Sequence, residues 1–165
     1  MKKLVSLISA LAICLSLCVP AFAAEPDNGL VPVAVYELKG ATIKVFVGPE
    51  DRPLRTRANS DLVEGTAGSS GARITFGLES GEGDFCDVRI WNDSSSTEME
   101  VSFSATLRVD GETVTVDRTD PVDPGNRTYL QITGKSGLEG VVKTTIRPVG
   151  ASSVGYTYTA DQYWK

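Results

Sequence analysis

Residues 101–109 alternate without a break. Val101, Phe103, Ala105, Leu107 and Val109 take every second place, and Ser102, Ser104, Thr106 and Arg108 take the places between. Successive side chains of an extended chain point to opposite faces, so this pattern is a strand with one buried and one wet face. Asp110-Gly111 follows at once, a dipeptide that tolerates the positive-φ positions of a tight hairpin turn. Val114 and Val116 then alternate with Thr113, Thr115 and Asp117. The segment reads as a β-hairpin, and its apolar face needs a second layer to cover it.

The rest of the chain repeats the theme. Val31, Val33 and Val35 alternate, with Pro32 pointing to an edge position. Ile43, Val45 and Val47 alternate with Thr42, Lys44 and Phe46, and Ile74, Phe76 and Leu78 with Arg73, Thr75 and Gly77. Cys86, Val88 and Ile90 share one face against Asp87, Arg89 and Trp91, which turns the Cys86 thiol inward. Leu130 and Ile132, then Val142, Thr144 and Ile146, then Tyr156 and Tyr158 mark three further strands. Clusters of Gly, Pro, Asn, Asp and Ser separate them. About nine short strands with such punctuation predict an all-β, antiparallel β-sandwich. The stretch 48–71, with Pro49, Pro53, Arg52, Arg55, Arg57 and a Gly/Ser-rich tail, reads as one long polar loop.

Residues 74–147 resemble exported modules of bacterial surface proteins. The resemblance rests on Val88-Arg89-Ile90-Trp91-Asn92-Asp93-Ser94-Ser95, the Val101–Val109 strand, the Asp110-Gly111 turn, and Asp123-Pro124-Gly125 before the next strand. It is to immunoglobulin-like or jelly-roll sandwiches in general, and it implies a fold and an exported setting. It carries no activity across, because unrelated functions share such folds.

The start of the chain points the same way. Lys2 and Lys3 precede an uncharged apolar run from Leu4 to Val19, then Pro20 and Ala21-Phe22-Ala23. This is the three-part pattern of a bacterial secretory signal peptide, too short in its apolar core for a membrane span. Leu17 before Cys18 and Ile13 before Cys14 disfavour a lipid anchor. Cleavage after Ala23 leaves residues 24–165 as a single domain, secreted to the extracellular side. Loss of Lys2 and Lys3 leaves 14 basic residues against 21 acidic ones, a net charge of −7. That balance argues against nucleic acid as a partner and against attachment to anionic lipid. Of Cys14, Cys18 and Cys86 only the last remains, so the mature chain closes no disulfide of its own.

Histidine is absent from the whole sequence. Ser-His-Asp and Cys-His catalysis and His-based zinc sites are therefore excluded. A pair of carboxylates can hydrolyse a glycoside without histidine, but no spacing singles out a pair. No catalytic residue is assigned, and a carboxylate-dependent hydrolase stays as a remote alternative. Trp91 and Tyr129, each opposite an apolar strand face, are candidates to stack on a sugar ring, with burial of the ring as the competing role. Asp117, Asp120 and Asp123 read as lying in one loop that ends at Pro124-Gly125 and are candidate calcium ligands, against ordinary turn chemistry. No other cofactor is expected. The reading is an exported, non-catalytic module for binding or surface interaction with an extracellular protein or glycan. Its alternative is a glycan-binding module, with or without calcium.

Overall fold

In a computed structural model, residues 30–49, 62–135 and 137–164 are described. The segment 1–23 and the arginines at 52, 55 and 57 lie outside them. The described residues form ten strands and no helix: β1 (Ala34–Leu38), β2 (Ala41–Gly48), β3 (Val63–Gly68), β4 (Ala72–Leu78), β5 (Phe85–Asn92), β6 (Met99–Val109), β7 (Glu112–Val122), β8 (Arg127–Gly134), β9 (Gly140–Pro148) and β10 (Ser153–Tyr163). They pair into a six-stranded sheet, β1-β2-β8-β5-β10-β3, and a four-stranded sheet, β4-β9-β6-β7. Every pairing is antiparallel. The fold is the expected all-β sandwich.

Alternation decides which side chains meet between the sheets. Val101, Phe103, Ala105 and Leu107 of β6 face inward with Val142 and Ile146 of β9. They pack with Ile43, Val45, Cys86, Val88, Ile90, Leu130 and Ile132 of the larger sheet. Cys86 is fully buried, as its strand parity requires. The β6–β7 turn is the expected two-residue one, with Asp110 at φ +50° and Gly111 at φ +81°. Both values match the right-handed twist of the flanking strands.

Three readings change. The stretch 48–71 is not one loop, because its residues 63–68 form edge strand β3, paired with β10. Its inward places are Val63, Gly65 and Ala67, and a Cβ on Gly65 would stand 2.6 Å from the Tyr156 hydroxyl. A strand whose inner face must leave room for a tyrosine ring shows no apolar alternation. Val31, Val33 and Val35 do flank an edge strand, but they are exposed, while Ala34, Tyr36 and Leu38 pack on the core. Phe46, assigned to the wet side of β2, is buried against Tyr129 at a ring separation of 5.2 Å.

Candidate functional site

Trp91 and Tyr129 occupy the outer face of the six-stranded sheet, as their parity predicts, yet both are buried. Trp91 is 3% exposed and Tyr129 is 1% exposed. Neither ring has a face free to stack on a sugar. The neighbourhood explains Tyr129. Its hydroxyl donates to Asp87 Oδ1 at 2.7 Å and accepts from Gln131 Nε2 at 2.7 Å. Asp87 Oδ2 also accepts from Tyr163 Oη at 3.0 Å and Arg89 Nη2 at 3.0 Å. The guanidinium groups of Arg89 and Arg127 stand 4.7 and 5.2 Å from the Tyr129 ring centre. At its centre a buried carboxylate has three donors, which helps to fix this face.

The three aspartates do not converge. Asp117 and Asp123 are exposed, on the outer parity of β7 and just beyond its end. Asp120 has the opposite parity and is buried. It accepts from Arg118 Nε at 2.8 and 3.0 Å, and from Arg118 Nη2 as well. That hydrogen bond, ahead of charge attraction, raises the Arg118 pKa above its ordinary value. Among the described residues no three acidic or sulfur-bearing side chains gather where they could hold a metal ion. Asp120 is committed to an arginine, and strand parity separates it from Asp117.

The acid-rich turn at residues 79–84 is closed by an amide. Gln162 Nε2 donates to the carbonyls of Glu79, Gly83 and Leu138 at 3.0–3.1 Å, and Gln162 Oε1 accepts from the Glu79 N–H at 2.9 Å.

A concave site does appear where no motif marked one, on the outer face of the four-stranded sheet. Arg73, Thr145, Ser102 and Thr119 stand in register across β4, β9, β6 and β7. Thr75, Lys143, Ser104 and Asp117 form the next row. Between the rows lies an open depression of about 400 Å³. Ser102 and Thr119 share a hydroxyl hydrogen bond at 2.9 Å, and Thr106 and Thr115 another at 3.1 Å beyond the depression. Arg73 and Lys143 make no ion pair with any described residue, whereas Arg108 and Arg118 are paired with Glu139 and Asp120. Apart from Asp117, singled out for a different role, these positions drew no notice because each is the ordinary wet half of a strand. The missing signal was register, since only the pairing of four strands brings them together.

No family model and no curated protein matches this chain. A crystal structure of the Drosophila melanogaster CENP-C cumin domain aligns at 14% identity over 77% of this chain and 84% of that one. Its TM-score of 0.18 is too low for the likeness to carry an argument.

Proposed function

We propose that this chain is an exported, non-catalytic recognition module that meets an extracellular partner through the outer face of its four-stranded sheet. The observation that carries the reading is the double row across β4, β9, β6 and β7, in which five of the eight side chains are serine or threonine. Long charged side chains lose up to roughly 2 kcal/mol of rotamer freedom when fixed, and serine and threonine much less. The hydroxyl part of the face, with Ser102 and Thr119 already tied to each other, therefore binds with little ordering cost. Each hydroxyl both donates and accepts, which suits a ligand rich in polar groups. Export rests on the residue pattern of 1–23. We take the sandwich to be of the immunoglobulin-like or jelly-roll kind, in which a rigid frame presents a surface.

One further observation favours binding over hydrolysis. Two-carboxylate chemistry needs a second acid across the cleft, and Asp117 is the one acidic side chain among the residues lining the depression. The test is adsorption of the purified protein to the cells or matrix that surround its source. Ser104→Glu, which fills the centre of the depression, is expected to lower the bound fraction at least fivefold. Ser69→Glu, in the exposed turn after β3, is expected to leave it unchanged. Equal adsorption of both variants would remove this face as the contact.

A further inference from the structure

We infer that the ligand of this face is an anionic polysaccharide, held through acidic groups by Arg73 and Lys143 and through hydroxyls by the serine and threonine rows; the inference rests on the function proposed above. Arg73 pairs with Thr145, and Lys143 with Thr75, so the two cations are diagonal neighbours on β4 and β9. Such neighbours lie about 7–8 Å apart. Asp117 stands two strands from Lys143, beyond Ser104, or about 10 Å at the usual strand spacing. It is too far to neutralise Lys143, and it gives the depression a direction. Cationic side chains lie over β4 and β9, hydroxyls over β6, and an anion-repelling carboxylate over β7. Arginine can take a carboxylate through two parallel N–H bonds, while lysine adds a compact charge.

Charge complementarity is local. The chain as a whole is acidic, with 21 acidic against 16 basic residues, and distant acids repel a polyanion. At about 0.15 M salt, charges more than about 8 Å apart are largely screened while charges in contact still count. The choice of glycan over acidic peptide follows from what the face lacks. The two rows that rim the depression carry no outward apolar side chain, and protein partners usually need an apolar centre.

Affinity electrophoresis of the purified protein through gels containing polygalacturonate, dextran or polyglutamate tests this. Polygalacturonate is expected to retard the protein, and dextran and polyglutamate much less. The double variant Arg73→Gln/Lys143→Gln is expected to weaken polygalacturonate binding at least tenfold, and Asp117→Asn to strengthen it two- to fivefold, with unchanged melting temperatures. No retardation by polygalacturonate overturns the inference. So does equal retardation of the wild type and the double variant, retardation that survives Ser104→Glu, or retardation by polyglutamate of equal strength. If polygalacturonate fails while Ser104→Glu still abolishes adsorption to native material, the recognition face stands and its ligand is not a polyuronate.

Discussion

Gln162 shows how much one side chain can carry where the described residues hold a single, free cysteine. Its amide joins β10 to the turn after β4 and to the segment before β9. Gln162→Glu keeps the shape and replaces the donor with a carboxylate facing three carbonyl oxygens. Leaving partly buried acceptors unpaired costs about 1–3 kcal/mol, so the variant is expected to lose about 2 kcal/mol in urea denaturation. A loss below a few tenths would mean the amide only decorates the turn. Tyr129 makes a second case at the same scale. Tyr129→Phe keeps the ring stack with Phe46 but removes a donor from buried Asp87 and the acceptor of Gln131. The expected cost is again about 1–3 kcal/mol, read as a lower urea midpoint at unchanged slope. Neither role was legible in the sequence, where Gln162 is a polar residue on the parity of Tyr156 and Tyr158 and Tyr129 stood out only as a candidate for stacking. Parity assigned Tyr129 to the correct face, but it does not tell whether a face is wet.

Strands were legible where one face is strongly apolar and the turn chemistry is local. The β6–β7 hairpin satisfies both conditions, and its turn carries the positive φ values that Asp110-Gly111 tolerates. β3 fails the first, because Gly65 stands where Tyr156 of β10 needs room and Val63, opposite Tyr158, is exposed. The connection from β4 to β5 depends on a glycine in another way. Gly83 has φ +155°, and a Cβ there would lie 2.2 Å from the backbone carbonyl of Tyr163. Backbone cannot swing aside as a side chain can, so Gly83→Ala must separate the turn from the end of β10. A loss of more than 2 kcal/mol is expected, of the size seen when a special backbone position is broken. Hydrogen exchange is expected to show where it falls, with faster exchange at Leu138 and Gly134, whose N–H groups bond to the carbonyls of Gly83 and Asp84. The depression on the four-stranded sheet belongs to this scale too. Its side chains were visible as wet positions, and only the pairing order of β4, β9, β6 and β7 turns them into one surface.

At the scale of the whole molecule, the core between the two sheets includes the Cys86 thiol and the Tyr158 phenol. Burial raises both pKa values, with the charges of Asp87 and Asp161 adding to the rise at Cys86 and that of Cys86 adding at Tyr158. Both therefore keep their protons in the folded state well into the alkaline range. The unfolded chain releases them near the ordinary values of 9.0 for the thiol and 10.0 for the phenol. Above those values the unfolded state binds fewer protons than the native state, so stability falls as pH rises. Each group contributes a slope of up to about 1.4 kcal/mol per pH unit, and below about pH 8 neither contributes. Urea denaturation from pH 7 to 11, with reductant present, is expected to show a plateau, a decline beginning near pH 9, and a steeper decline above pH 10. Cys86→Ala lowers the plateau by removing a buried group and shifts the onset of the decline to about pH 10, where Tyr158 alone acts. Were the onset to stay near pH 9 in that variant, the buried thiol would not be the group that sets the alkaline limit of the sandwich.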